Sequence, residues 1–233
     1  MTSGRAPLEP GLEVERRLID RGSRVVAGCD EVGRGSLSGP VSVGVVAVDR
    51  TTGPVPVGVR DSKLLSPAAR ERLLPAIGSW ALESAVGHAS ASEVDALGIL
   101  GALCLAGTRA LGALHHTPDA VVLDGNYDWL RRPALPAGFR DDSAAVRLAE
   151  LLEAPEAVEL HVGGDRTCAT VAAASVVAKV TRDALMAGLS LRYPGYGWES
   201  NKGYGAPAHL AAIAALGPCE EHRRSWRLPI AAG

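Results

Sequence analysis

Two adjacent acidic residues, Asp30 and Glu31, stand where an apolar run gives way to glycine in VVAGCDEVGRGSLSGP, at 25–40. Successive side chains on a strand point to opposite faces, so both carboxylates can serve one site only if the strand ends or kinks between them or just after them. Like-charge repulsion and burial oppose such a pair, and a divalent cation relieves both. Carboxylate oxygens favour a hard ion such as Mg²⁺ or Mn²⁺.

The turn that follows, Gly33-Arg34-Gly35, can present its backbone N–H groups in a concave arrangement. Its glycines also permit another backbone to come close. Such a turn is suited to binding a phosphate group or a sugar. Taken alone, however, an acidic pair before glycines is typical of a solvated loop.

Two further acids favour a metal site over a solvated loop. Asp124 follows the apolar run AVVL, at the carboxyl end of a predicted buried strand, where open α/β sheets bind ligands. Asp165 follows another predicted strand and begins a helix. Each has an ordinary explanation, as a turn residue or a helix cap. Together with Asp30 and Glu31 they form the four-carboxylate set that a two-metal phosphodiester hydrolase requires.

Apolar patterning predicts the elements that must position these acids. Valine-rich or all-apolar runs bounded by glycine and proline predict strands at 24–29, 41–48, 80–89, 120–123 and 158–162. Capping residues and helical spacing predict helices that begin at Ser66 and that span 92–115, 165–189 and 207–216. The first strands form an antiparallel group and the later ones alternate with helices, so a mixed sheet with helices on its faces is expected.

The chain length bounds the domain organisation. With 233 residues, the chain fits one large domain. Residues 1–22 are predicted to be a loosely ordered N-terminal segment leading into a short helix, and 23–233 a single domain. The proline-rich stretch and short helix at 127–155 are interpreted as a possible insertion.

Composition narrows the class of protein. There is no run of eighteen apolar residues and no basic-then-apolar leader, which predicts a soluble, cytoplasmic protein without a membrane partner. The formal charge of −2 argues against indiscriminate nucleic-acid binding. A polyanion would therefore have to be bound by a local group of residues. The four cysteines lie far apart without a CxxC pair, which predicts neither a zinc site nor a disulfide framework.

Five motifs now identify a family resemblance. The stretches GCDEVGRGSLSGP, DSKLLSP, LDGN, GGDRTCATVAAASVVAKVTRDALM and YPGYGWESNKGYGAPAHLAAIAALGPCEEHRRSW resemble the successive motifs of bacterial ribonuclease HII, in order and across nearly the whole chain. The resemblance implies the ribonuclease H-like α/β fold, a mixed five-stranded sheet flanked by helices, with a helical C-terminal part.

The resemblance also implies an activity and a cofactor. The family's four metal-binding and catalytic carboxylates fall on Asp30, Glu31, Asp124 and Asp165, which would hold two Mg²⁺ or Mn²⁺ ions. The implied enzyme is a monomeric endoribonuclease whose partners are RNA–DNA hybrids and DNA duplexes that contain ribonucleotides. It would cut the RNA strand of hybrids and incise 5′ of single ribonucleotides, leaving 5′-phosphate and 3′-hydroxyl ends.

Substrate contacts carry over from the same motifs. The main chain of Gly33, Arg34 and Gly35 is expected to contact the ribose 2′-OH, the group that distinguishes RNA from DNA. Tyr204 matches the tyrosine that stacks on the deoxyribose after the ribonucleotide. Ser62 and Lys63 are expected to contact the substrate backbone.

Some assignments stay open. Asp141 and Asp142, inside the possible insertion, compete with Asp165 for the fourth metal position, although Asp165 is preferred because its following residues are motif-like. The basic cluster at 222–227 could touch a duplex backbone or be a solvated tail. Arg182, with Lys179 and Asp183 at helical spacing, fits an exposed charged group or a supporting role near the site.

Two functions from other classes are also compatible with parts of the sequence. One is a non-catalytic binder of RNA-containing duplexes, which would need the metal-binding acids lost or displaced. The other is a nucleotide or sugar-phosphate enzyme, for which the chain lacks both GxGxxG after a strand and GxxxxGK[ST].

Overall fold

A five-stranded mixed sheet forms the centre of the computed structural model, which describes residues 9–131, 155 and 157–229. The strands are β1 (Val25–Val32), β2 (Val41–Asp49), β3 (Glu83–Ala89), β4 (Ala120–Asp124) and β5 (Ala157–His161), in the spatial order β3-β2-β1-β4-β5. β1, β2 and β3 pair antiparallel, whereas β4 runs parallel to β1 and β5 parallel to β4. The predicted mixed five-stranded sheet is confirmed.

Helices cover both faces of this sheet. They are α1 (Glu13–Asp20), α2 (Pro67–Trp80), α3 (Ala91–Gly112), α4 (Gly164–Thr167), α5 (Ala169–Arg192), α6 (Trp198–Asn201) and α7 (Pro207–Leu216), with a 3₁₀ turn at Ser62–Leu64. Ser66 caps α2 by accepting a hydrogen bond from the Ala69 N–H, as its sequence predicts. Ser90 and Glu93 form a capping box at the start of α3.

The two long helices pack on opposite faces because side chains alternate along the strands. Ala27 and Cys29 of β1 contribute to the core beneath α3. Val26, the intervening residue, packs with Val171 of α5. Gly28 lies on the α5 side, where a Cβ atom would stand 2.4 Å from the backbone nitrogen of Val171, so only glycine lets α5 approach this closely.

Helix α3 is a core helix. By length and apolar composition alone it could cross a membrane, and it is the one helix in the described part of the chain that meets that criterion. Half of its residues are nevertheless buried, and Leu103 and Leu105 among them join the core cluster with the strands. A left-handed residue, Gly98 with φ of 69°, kinks it near its start.

The loosely ordered segment at 1–22 stays a prediction, since residues 1–8 lie outside the described residues, and the short helix expected after its start is present. Residues 13–20 form α1, whose Val14, Leu18 and Ile19 are buried against Val26. The spacing of these apolar residues places them on one helix face, and burial of that face orders the helix. The single domain at 23–233 stays a prediction, and most of the possible insertion at 127–155 lies outside the described residues.

Two other boundaries differ from the predicted ones. The third strand begins at Glu83 instead of residue 80, because α2 continues through Trp80, whose Nε1 donates to the Gly53 carbonyl. The predicted helix at 165–189 is two helices, since Cys168 is extended between α4 and α5. This break lets Asp165 sit in a short separate turn beside the sheet.

A buried acid from α1 completes the start of α5. Glu15 is fully buried, and its Oε1 accepts hydrogen bonds from the backbone N–H of Thr170 at 3.0 Å and from its hydroxyl at 2.7 Å. The N-cap residue Cys168 makes no side-chain capping bond. Glu15 therefore accepts the backbone hydrogen bond at the N-terminus of α5 that the N-cap residue Cys168 does not accept.

Replacement of Glu15 by alanine should destabilise the protein by about 2 kcal/mol, because the Thr170 N–H loses its acceptor and a cavity forms. Urea unfolding measures the free energy. Glu13→Ala is the matched control, since Glu13 is exposed in the same helical turn and should cost less than about 0.5 kcal/mol. Equal losses in the two variants would contradict the capping role.

Candidate active site

Three carboxylates meet where two neighbouring strands end. Asp30 and Glu31 lie near the end of β1, which stops one residue later at Val32, and Asp124 is the last residue of the adjacent parallel strand β4. One carboxylate oxygen from each lies within 4.8 Å of the other two. The condition for two consecutive acids to share a site, a strand that ends just after them, is met.

Asp165 stands beside this group without being one of the three. It lies in the first turn of α4, is 5% exposed, and its Oδ2 is 3.3 Å from the Lys63 Nζ. The preceding residue links the two places, because the Gly164 N–H donates to the Asp124 Oδ1 at 2.8 Å. Asp141 and Asp142, the alternative candidates, lie outside the described residues.

Burial and neighbouring carboxylates raise the pKa of two of these acids, Asp30 and Asp165. Burial, then the charge of Glu31, then that of Asp124 raise the pKa of Asp30 well above its ordinary value, while Lys63 opposes the shift. Burial and the charges of Asp61 and Asp124 likewise raise the pKa of Asp165. Crowded, desolvated carboxylate oxygens are the donor set that suits a divalent cation of the Mg²⁺ or Mn²⁺ class.

The DSK motif borders the same acids. The Asp61 carboxylate caps the 3₁₀ turn by accepting from the Lys63 N–H at 2.9 Å. The Ser62 N–H donates to the Ser175 Oγ at 3.1 Å, which fixes the turn against α5. The Lys63 side chain stays 74% exposed with its ammonium at the acids, so it can reach a ligand there.

The glycine turn lies next to the carboxylates and is held by Tyr204. The Gly33 N–H donates to the Tyr204 hydroxyl at 3.1 Å, and the Arg34 Nη1 is 3.8 Å from the Glu31 Oε1. Gly33 has a left-handed φ of 81°, and a Cβ there would stand 2.1 Å from the Arg182 Nε. Gly35 is exposed, so the turn presents main chain to the outside.

Two buried arginines, Arg182 and Arg223, support this turn, and sequence reasoning missed the role of Arg223. The Arg223 guanidinium donates to the carbonyls of Gly33 at 2.7 Å, Arg34 at 2.9 Å and Gly39 at 3.2 Å. Burial, more than the charge of nearby Arg182, lowers the pKa of Arg223 to about 9. Residue 223 is therefore neither a solvated tail nor a duplex contact.

Arg182 holds the neighbouring backbone. It is fully buried and donates to the Pro40 carbonyl at 2.8 Å, the Lys202 carbonyl at 3.0 Å and the Ser36 Oγ at 2.9 Å. The interpretation as an exposed charged group is wrong for this residue, although Lys179 and Asp183 do form an ion pair at 2.7 Å. The supporting role implied by the resemblance fits the geometry.

A buried histidine pair lies behind Tyr204. His209 and His222 are 0% and 1% exposed, with 3.3 Å between their Nε2 atoms. Burial, then the neighbouring His209 and Arg224, lower the pKa of His222 to about 4. The pKa of the unfolded side chain is about 6.5, so the unfolded state binds the proton first as the pH falls. The stability that neutral His222 contributes is complete above pH 6.5 and is lost towards pH 4.

A pH series tests this linkage. Between pH 7.5 and pH 5, the wild-type protein should lose about 2 kcal/mol more unfolding free energy than His222→Gln, because glutamine does not titrate. The substitution is compared with His115→Gln, at an exposed position, which should keep the wild-type pH dependence. If His222→Gln shows the same pH dependence as the wild type, the linkage is refuted.

Comparison of the sequence with known proteins points to one family. The family model described as Ribonuclease HII matches residues 27–228. The Ribonuclease HII of Streptomyces coelicolor is 42% identical over 222 residues, covering 94% of this chain and 85% of that protein. The Ribonuclease HII of Paracoccus denitrificans is 43% identical over 217 residues, covering 93% and 91%.

Solved structures agree on the fold. Ribonuclease H2 from Pyrococcus horikoshii superposes with a TM-score of 0.63 at 26% identity, over 88% of this chain and 95% of that chain. The Archaeoglobus fulgidus ribonuclease HII, solved in complex with PCNA, gives 0.62 at 26% identity, over 88% and 96%.

The expected ribonuclease H-like fold is thus confirmed. The chain is a nuclease of the ribonuclease H class, and it belongs to the ribonuclease HII family.

Proposed function

We propose that this ribonuclease both cuts the RNA strand of RNA–DNA hybrids and incises 5′ of single ribonucleotides embedded in duplex DNA. The products would carry 5′-phosphate and 3′-hydroxyl ends. Ribonuclease H activity itself follows from the family. The observation that carries the finer proposal is the position of Tyr204, whose hydroxyl bonds the Gly33 N–H of a turn beside the three clustered carboxylates.

We propose Asp30, Glu31, Asp124 and Asp165 as the residues that hold the divalent metal. Three of their carboxylates lie within 4.8 Å of one another, and the fourth adjoins them through Gly164. Two Mg²⁺ or Mn²⁺ ions bound there would supply an activated water and stabilise the leaving 3′ oxygen during in-line attack. All the proposed ligand atoms are carboxylate oxygens, which supports a hard cation such as Mg²⁺ or Mn²⁺ over zinc.

The chain's own residues would orient the substrate. The exposed main chain at Arg34 and Gly35 can contact the ribose 2′-OH, which is absent from DNA. The Lys63 ammonium, on an exposed side chain beside Asp165, can contact the phosphate backbone together with Ser62. The half-buried Tyr204 ring can stack on the deoxyribose that follows the ribonucleotide.

We also propose that the enzyme is monomeric and cytoplasmic and that it acts on nucleic acid without a membrane. A non-catalytic duplex binder is the second reading, and retention of all four acids disfavours it.

A substrate panel tests the proposal. End-labelled duplex DNA with one ribonucleotide, a uniform RNA–DNA hybrid and an all-DNA control are incubated with Mg²⁺ or Mn²⁺, and the product ends are identified. We expect a single cut 5′ of the ribonucleotide, cutting of the hybrid, and none of the all-DNA duplex. Cutting of the hybrid alone would remove the proposed role of Tyr204, and binding without cutting would favour the non-catalytic reading.

A further inference from the structure

Tyr204 is held at both ends of the residue, and the second contact comes from a buried histidine. Its hydroxyl accepts from the Gly33 N–H, and its backbone carbonyl lies 2.8 Å from the Nδ1 of His209. His209 is in α7 and is completely buried. The hydroxyl of Tyr204 is thus held by the glycine turn, and its main chain is held by α7.

The hydrogen bonds define which nitrogen of each imidazole carries a proton. A carbonyl can only accept, so the His209 Nδ1 must be the donor to Tyr204, and its Nε2 is then the acceptor. That acceptor faces the Trp198 Nε1–H at 3.0 Å. Burial lowers the pKa of His209, which agrees with a neutral ring.

His222 has the complementary protonation. Its Nδ1 accepts from the Cys219 backbone N–H at 3.1 Å, so its proton is on Nε2 and points to the His209 Nε2 at 3.3 Å. Two donors, from Trp198 and His222, therefore converge on one acceptor nitrogen of His209. This arrangement fixes the rotamer and the tautomer of the residue that bonds the Tyr204 carbonyl.

The same segment also supports the glycine turn. Arg223, the residue after His222, donates its guanidinium protons to the Gly33 and Arg34 carbonyls. The residues 222–223 therefore brace the turn directly and Tyr204 through His209. A shift of this segment would move both halves of the proposed substrate contact together.

We propose that His209 is a positioning residue that sets where the Tyr204 ring meets the nucleic-acid strand, and thereby sets the preference for an embedded ribonucleotide. It acts through the Tyr204 main chain and touches no substrate. The inference rests on the proposed function, in which Tyr204 recognises the deoxyribose after the ribonucleotide. Beyond that function, we infer that His209 of α7 holds the tyrosine in place.

Two substitutions separate positioning from simple core filling. His209→Asn keeps a side-chain donor where Nδ1 lies and loses the group at Nε2, whereas His209→Gln keeps a group at Nε2 and loses the one at Nδ1. The ratio of cleavage rates on the single-ribonucleotide duplex and the uniform hybrid is measured, with thermal unfolding of each variant. His209→Gln should lower this ratio about tenfold, and His209→Asn should stay within about twofold of the wild type.

A spectroscopic measurement keeps the inference testable independently of the substrate. The chain has four tyrosines, so fluorotyrosine labelling gives four ¹⁹F signals, and Tyr204→Phe assigns the relevant one. The Tyr204 signal should move in His209→Gln and stay near its wild-type position in His209→Asn. Equal behaviour of the two variants in both the ratio and the spectrum would overturn the inference.

The two hypotheses fail in different ways. A wild-type enzyme that shows no preference for the embedded ribonucleotide defeats the proposed role of Tyr204, whereas the ¹⁹F comparison still decides whether His209 positions it. A wild-type preference that survives in His209→Gln, with the Tyr204 signal unmoved, defeats the inference and leaves the proposed function standing.

Discussion

Replacement of Asp30 by asparagine should lower the cleavage rate by about 10³-fold or more, because one ligand of the proposed metal site loses its charge. The geometry around it should survive. The Asp30 Oδ1 accepts from the Glu31 N–H at 2.8 Å, and the asparagine oxygen can accept the same bond. The loss would therefore report on charge and metal binding, since the shape of the strand end is retained.

The same substitution should make the metal-free protein more stable. Burial and the neighbouring Glu31 and Asp124 raise the pKa of Asp30, so its ionised form is unfavourable in the folded state. The stability associated with a raised pKa is present at low pH and is lost as the pH rises through the folded value. At neutral pH, removal of this charge should stabilise the protein by about 1 to 2 kcal/mol.

The substitution should therefore lower the cleavage rate and raise the stability of the metal-free protein. Urea unfolding in EDTA gives the stability change, and single-turnover cleavage gives the activity change. Asp20→Asn is the control, since Asp20 is an exposed acid paired with Arg50 on the surface, and it should alter neither quantity appreciably. An Asp30→Asn protein that is less stable than the wild type in EDTA would contradict the crowding of charge at this site.

Removal of the Arg223 guanidinium is expected to have the second largest effect. Arg223→Ala should destabilise the protein by about 3 kcal/mol, because the carbonyls of Gly33, Arg34 and Gly39 lose a shared donor in a buried place. The turn should then shift, and a displacement of about 1 Å reduces kcat/KM by about 10²-fold.

The adjacent residue provides the matched control. Arg224 is exposed, so Arg224→Ala should leave the stability within about 0.5 kcal/mol of the wild type. Arg223→Lys keeps the charge and loses the planar fork that reaches several carbonyls, so it should rescue only part of the activity. Full activity in Arg223→Lys would show that charge alone, without the fork, is what the turn needs.

The strand-end acids could be predicted from the sequence because local signals place them. Asp124 follows four apolar residues, and these form the buried strand β4. Asp30 and Glu31 precede the glycine turn, and β1 ends one residue after them. Such patterns depend on short-range physics, namely side-chain alternation and turn chemistry, and the parallel pairing of β1 with β4 then brings the carboxylates together.

The support behind the site could not be predicted in the same way. Arg182 and Arg223 look like solvent-exposed cations in a sequence, since isolated arginine is seldom fully buried. Their burial arises because residues distant in the chain supply carbonyl acceptors, such as Pro40 for Arg182 and Gly33 for Arg223. The short helix expected near the N-terminus is present as α1, and burial of its apolar face against the sheet orders it.

Metal-dependent cleavage by the clustered carboxylates is tested by comparing incision of one substrate by two proteins. Wild-type protein and Asp30→Asn are given the same end-labelled duplex with one ribonucleotide, in EDTA and in Mn²⁺. We expect the wild type to incise the duplex in Mn²⁺ and not in EDTA, and Asp30→Asn to incise it about 10³-fold more slowly in Mn²⁺. Incision in EDTA, or a wild-type rate from Asp30→Asn, would contradict a metal-dependent nuclease centred on these carboxylates.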